Sequence, residues 1–239
     1  MHRFANPARF LRFATAVLPW SGSVTILLLV TGIVWGLVFS PADYQQGETV
    51  RILYIHVPAA WMGLFTYTAM AVASAVGLIW KHPLADLVAR ASSPVGAAFT
   101  FICLVTGALW GKPMWGAYWV WDARLTSMLI LLFLYLGHMA LVHAFDDPGR
   151  GARAGAILAL VGFVNVPIIK FSVDWWNTLH QPASVTRVGL PAIATEMLWP
   201  LLVMGVAFKL YYVTLLLVRV RTGIAAAKGR AIHMAQIHG

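Results

Sequence analysis

The chain has 239 residues, 60% of them hydrophobic and only 10% charged, with a mean hydropathy of +0.78. A soluble domain carries about 25% charged residues, so an ordinary water-soluble fold is excluded. The composition fits one integral membrane bundle spanning residues 1–239. The formal net charge of +9 raises the question of nucleic acid, but the positive residues sit at the chain ends and in alternate loops. That distribution belongs to membrane orientation rather than to a basic groove, and no nucleic-acid partner is expected.

In chain order, Arg9–Leu18 interleaves Arg9 and Arg12 with Phe10, Leu11, Phe13, Val17 and Leu18. It reads either as a short interfacial helix or as a disordered basic leader. No small-x-small cleavage site follows the first apolar run, which is therefore expected to be a retained span. Six apolar stretches are predicted to cross the bilayer: Ser23–Phe39, Val57–Trp80, Ser93–Leu109, Leu125–Phe145, Ala154–Phe171 and Ala192–Val218. Each is near the ~20 residues that a helix needs to traverse the hydrocarbon core. Only helices satisfy their own backbone there, so the fold class is all-α, a bundle of six transmembrane helices.

Eleven Lys and Arg residues fall on one side: Arg3, Arg9, Arg12, Lys81, Arg90, Arg150, Arg153, Arg219, Arg221, Lys228 and Arg230. Five fall on the other, Arg51, Lys112, Arg124, Lys170 and Arg187. Both termini, including a tail at about 219–239, are accordingly expected in the cytoplasm. The first, third and fifth loops then face outward, to the periplasm in a bacterium. Lys209 lies within the last span, to snorkel or to face a partner helix.

Chemistry concentrates in the third loop, about 110–126, Trp110-Gly-Lys-Pro-Met-Trp-Gly-Ala-Tyr-Trp-Val-Trp-Asp-Ala-Arg124. Gly111, Pro113 and Gly116 are expected to break regular helix there. Trp115, Tyr118, Trp119 and Trp121 crowd four aromatics into seven residues. An interfacial belt accounts for one or two such rings; a cluster offers several flat faces to something large, flat and apolar. Two histidines share this face by the loop count. His56, in Tyr54-Ile-His56-Val-Pro, is placed just before the second span, with Pro58 in its first turn. His180, in Leu179-His-Gln-Pro182, echoes that pattern. His2, His82, His233 and His238 fall on the other side, and His143 nears the inner end of its span. His138, within its span, is read as a polar packing contact, with a proton or ligand site as the alternative.

A porphyrin is flat and apolar, and its iron accepts axial imidazoles. One histidine above the ring and one below, with indoles around it, would hold it. Its propionates would pair with Arg124, Arg51, Arg187 or Lys112, among which the residues do not choose. Asp122 is better suited to accept a hydrogen bond from an indole, a histidine or the next helix start than to ligate iron. Trp175 and Trp176 read as belt residues, and Trp20, Trp35, Trp61, Trp80 and Trp199 as belt or packing residues. Glu196 is either solvated or paired with Arg187. Cys103, the only cysteine, forms no internal disulfide and reads as a small buried apolar residue. The chain has no Cys-x-x-Cys-His, Walker A, Gly-x-Ser-x-Gly, His-Glu-x-x-His or Gly-x-Gly-x-x-Gly pattern.

Trp115-Gly-Ala-Tyr-Trp-Val-Trp-Asp-Ala-Arg-Leu-Thr126 resembles the WWD signature of haem-handling membrane proteins. With the length, six spans and flanking histidines, the chain resembles the haem exporter protein C (CcmC) family of cytochrome c maturation system I over nearly its whole length. Tyr118 stands where many members have tryptophan. The resemblance implies a multi-pass protein of the bacterial inner membrane that binds haem b on its periplasmic face. It implies His56 and His180 as axial ligands, and Trp115, Gly116, Tyr118, Trp119, Trp121, Asp122 and Arg124 as further haem contacts. It also implies delivery to the membrane-anchored chaperone CcmE, alongside the ABC transporter subunits CcmA and CcmB and the small membrane protein CcmD. ATP hydrolysis then belongs to the partners, and the chain is not itself an enzyme.

Two other readings stand beside this one. A haem or quinone oxidoreductase usually keeps its histidine pairs inside helices, whereas here the best two are at loop ends. A purely structural subunit of an ABC-type transporter would tolerate alanine at Trp119 and Trp121. The longer, ligase-type WWD proteins carry extra spans that this chain lacks.

Overall fold

In a computed structural model that describes residues 6–238, the regular structure is helical, with no β-strand among those residues. His2 and Arg3 lie outside the described residues. Seven helices make up six stretches long and apolar enough to cross a membrane: α1 (Pro7–Val34), α2 (Leu53–Trp80), α3 (Pro83–Trp115), α4 (Ala123–His143), the pair α5 (Pro148–Gly162) and α6 (Asn165–Trp175), and α7 (Thr195–His238).

Several boundaries differ from expectation, each for a local reason. The basic leader is neither separate nor irregular. Asn6 accepts from the amides of Ala8 and Arg9, and Pro7 fills the first helical position, so α1 starts at Pro7 and runs on through the first span. It closes in a π-helical segment, Trp35–Phe39. The third span is longer at both ends, and Gly111 and Pro113 do not break it. Pro113 falls within the last turn, and α3 stops only at Gly116, whose φ of 76° is the left-handed conformation that glycine adopts freely. The fifth span is two helices rather than one. Pro167 has no N–H for the Phe163 carbonyl and its ring crowds that group, so the helix breaks at Phe163–Val164. The stretch read as a tail continues α7.

α2 is the central element, packed on α3, α5 and α7, while α1 packs chiefly on α7. With lipid outside as apolar as the core, close packing and internal hydrogen bonds replace the hydrophobic drive. Tyr135 of α4 shows both. Its hydroxyl donates to the Gly63 carbonyl at 2.8 Å, its ring meets Tyr67 edge-on at 5.1 Å, and it presses on Gly96 of α3. Ser92 and Tyr212 join α3 to α7 at 2.8 Å, and Asn165 donates to the Ser127 carbonyl at 2.8 Å. Lys209 faces a neighbouring helix, its ammonium 4.1 Å from the centre of the Phe65 ring. Trp20, Trp35, Trp80, Trp175, Trp176 and Trp199 are exposed along the outside, whereas Trp61 packs against Gly205. Cys103 is buried and free.

A methyl group at Gly96 would collide with the Tyr135 phenol, whereas one at Gly22 would meet nothing within 4 Å. Gly96→Ala is expected to cost about 1–3 kcal/mol, and Gly22→Ala to be neutral or stabilising. Thermal melting of the two variants in detergent checks this contrast.

Candidate functional site

The site assembles at one end of α2, α3 and α4. A 3-10 turn, Glu48–Ile52, leads into α2, and Arg51 pins that entry by bonding to Glu48 and to the Leu37 carbonyl. α2 therefore begins four residues earlier than expected. His56 lies in its first turn rather than before it, and Pro58 comes one turn later. The imidazole turns onto α3. Its Nδ1 is 3.0 Å from Thr106 Oγ1, Trp110 meets it edge-on at 5.7 Å, and a Cβ at Gly107 would stand 2.9 Å from its Cε1. Gly107 is thus the space into which the ring leans.

The hydrogen-bond roles follow from the Thr106 hydroxyl, which has one proton to give. It lies 2.6 Å from the Ile102 carbonyl and 3.2 Å from that of Cys103, and both can only accept. The hydroxyl therefore donates to the backbone and accepts from His56 Nδ1–H. This leaves Nε2 of His56 as the ring nitrogen without the proton.

The second histidine is prepared in the same sense by a different group. Asp122 precedes α4 and accepts the Leu125 amide at 2.8 Å through Oδ1, a helix N-cap. Its Oδ2 is 3.1 Å from His180 Nδ1. Of the three roles foreseen for Asp122, it performs two at once. Burial pulls the Asp122 carboxyl upward, but bonds from the Leu125 amide, Thr178 and His180 outweigh it and hold the group below the usual carboxylate value. Burial lowers His180 below the ordinary histidine value despite the bond to Asp122. At neutral pH the pair is therefore a carboxylate accepting from a neutral imidazole. Again Nδ1 carries the proton and Nε2 is bare.

His180 lies in the irregular segment between α6 and α7, and no helix begins at Pro182, so its likeness to the His56 stretch ends at sequence. Its amide donates to Thr178 Oγ1 at 2.9 Å, and Trp115, the last residue of α3, meets its ring at 4.8 Å. Beyond Gly116, Trp119 and Trp121 form an edge-on pair at 5.4 Å. Trp121 is 77% exposed, whereas Trp119 buries an indole N–H that has no partner among the described residues. Tyr118 is exposed and lies under the Lys112 ammonium, which also donates to the Gly116 carbonyl at 3.1 Å.

The four basic candidates separate. Arg124 braces α4 against α6, donating to Ser172 Oγ at 3.0 Å and to the Ile169 and Lys170 carbonyls at 3.3 Å, with Nη1 left over. Arg51 and Lys112 are engaged as described. Arg187 is exposed and forms no ion pair with Glu196, which is itself exposed. Sequence reasoning missed Thr106 and Gly107. Their only trace is position, one turn before Trp110 on the helix that ends in the aromatic loop.

Fold and site together define a multi-pass membrane protein that displays two oriented imidazoles beside an aromatic loop at one end of its bundle. The family model described as CcmC, Heme exporter protein C, matches residues 1–235. The chain is 56% identical over 232 residues to Heme exporter protein C of Bradyrhizobium diazoefficiens, covering 97% of this chain and 88% of the relative. It is 51% identical over 221 residues to that of Haemophilus influenzae, covering 92% and 90%. With that of Escherichia coli K12 it shares 48% over 231 residues, covering 96% and 93%. The chain belongs to the Heme exporter protein C family.

Thr106→Val removes the acceptor for His56 Nδ1–H, while Thr106→Ser keeps it. Nitrogen-15 NMR of the labelled histidines is expected to show the Nδ1–H tautomer of His56 in the parent and the serine variant. In the valine variant the proton is expected to shift toward Nε2.

Proposed function

We propose that this chain is a haem-handling membrane subunit of cytochrome c maturation, holding haem b between His56 and His180 and passing it on. One observation carries the reading. Both imidazoles bond through Nδ1 and leave Nε2 bare, on the same end of the bundle and next to the tryptophan loop. A metal-binding histidine is ordinarily arranged in this way, with an acceptor on its other nitrogen fixing tautomer and orientation.

The residues fit the ligand by its chemistry. No group of three or more His, Cys, Asp or Glu side chains able to hold a bare metal ion occurs among the described residues. A pair of imidazoles suits an iron whose equatorial positions are already filled by a porphyrin. When bound, haem would supply the iron and two carboxylates. Trp119 would offer its unpartnered indole N–H and Arg124 its remaining Nη1 to those carboxylates, while Trp115, Tyr118 and Trp121 would give ring faces and edges. Gly116 keeps the turn between α3 and the loop tight. Asp122 holds His180 correctly turned, and burial keeps the ring neutral.

Family membership supports this reading, since the relatives carry the name Heme exporter protein C. In this proposal the chain lies in the bacterial inner membrane with both termini cytoplasmic and the histidine face periplasmic, following the Lys and Arg distribution. It hands haem to the chaperone CcmE and works with CcmA, CcmB and CcmD, whose ATP hydrolysis lies outside this chain.

The test is an absorbance spectrum of detergent-purified protein made with haem available, beside His56→Ala/His180→Ala. The parent is expected to show a Soret band that the double variant loses or shifts. An identical band in both, or none in either with the chaperone co-expressed, would overturn the assignment.

A further inference from the structure

At the opposite end of the same helices lies a second polar site. His138 is sixteen residues beyond Asp122 along α4, about 24 Å at 1.5 Å per residue. It is 2% exposed, and its Nδ1 has no partner among the described residues. Ser74 of α2 is 1% exposed, and its hydroxyl likewise has none among them. Arg90 of α3 donates through Nη2 to the Pro148 carbonyl at 2.7 Å, which leaves a buried Nε–H with no partner among the described residues. All three side chains line one cavity of about 10 Å³, which Asp86 also faces and which Ala152 and Ala156 of α5 close.

Three orphaned polar groups around one small space are not a packing accident of an apolar bundle. Buried polar groups are paired as a rule, and a polar cavity of about 10–15 Å³ is the size that holds one water molecule. We propose that this is a built site for a single buried water, held by Ser74, Arg90 and His138, that joins α2, α3 and α4 against α5. The bonding balances. Arg90 Nε–H donates to the water oxygen, and the water gives one proton to His138 Nδ1. Its other proton goes to Asp86 or the Ser74 oxygen, or Ser74 donates to the remaining lone pair. The ring is oriented for this by Gly155, where a Cβ would stand 3.2 Å from His138 Nε2. The expectation that His138 is a packing contact is thereby extended: it packs on α5 with one edge and hydrates with the other. The site is independent of haem, since nothing in it touches the histidine and tryptophan end.

The experiment is solid-state NMR of the full chain in phospholipid vesicles, with nitrogen-15 histidine and the His138 signal identified by its loss in His138→Gln. Rapid magnetisation transfer from water protons to His138 Nδ1 is expected, and its absence in the parent would overturn the proposal. Ser74→Ala gives a second readout of opposite sign for a wet and a dry cavity. A bound water loses a hydrogen bond, and the melting temperature falls by about 2–4 °C. A dry cavity loses only an unsatisfied hydroxyl, and an unchanged or raised melting temperature would overturn the proposal.

Discussion

One carboxylate ties the candidate site to the fold. Asp122 closes the aromatic loop, caps α4 with one oxygen and turns His180 with the other. The helix start and the imidazole orientation are therefore a single constraint. A shift of the loop that spoiled the cap would also release the histidine. Arg124, two residues on, fastens the same corner to α6, so the segment carrying His180 is held from both sides.

The two histidines reach the same chemical state by unequal means. His180 is backed by a charged acceptor, while His56 is backed by a neutral hydroxyl whose own proton is committed to the Ile102 carbonyl. A carboxylate behind an imidazole raises its basicity more than a hydroxyl does. His56 rides on a regular helix and His180 on an irregular segment.

Much of this was legible from residues alone, because hydrophobic length and loop chemistry are local signals. The six spans, the aromatic loop, the flanking histidines and the capping role of Asp122 needed only apolar runs and side-chain chemistry. The ends of the spans were less legible, since Gly111 and Pro113 look like breakers yet sit inside the last turn of α3. The break at Phe163–Val164 has one sign in the sequence, Pro167, which a count of apolar residues passes over. Thr106 and Gly107 could not be found that way at all. Their role depends on how α2 and α3 are turned toward each other, and an isolated threonine or glycine in an apolar run carries no sign of it. The same holds for Ser74, Arg90 and His138, which lie far apart in sequence and meet only in the bundle.

In the proposed site two imidazoles, one from α2 and one from the segment before α7, hold one iron. Electron paramagnetic resonance of the oxidised, haem-loaded protein reads that ligation, with His56→Ala and His180→Ala prepared separately. The parent is expected to give a low-spin, six-coordinate signal, converted to high spin in each single variant. A low-spin signal unchanged in either variant would show that the replaced histidine is not a ligand and would overturn the bis-histidine site.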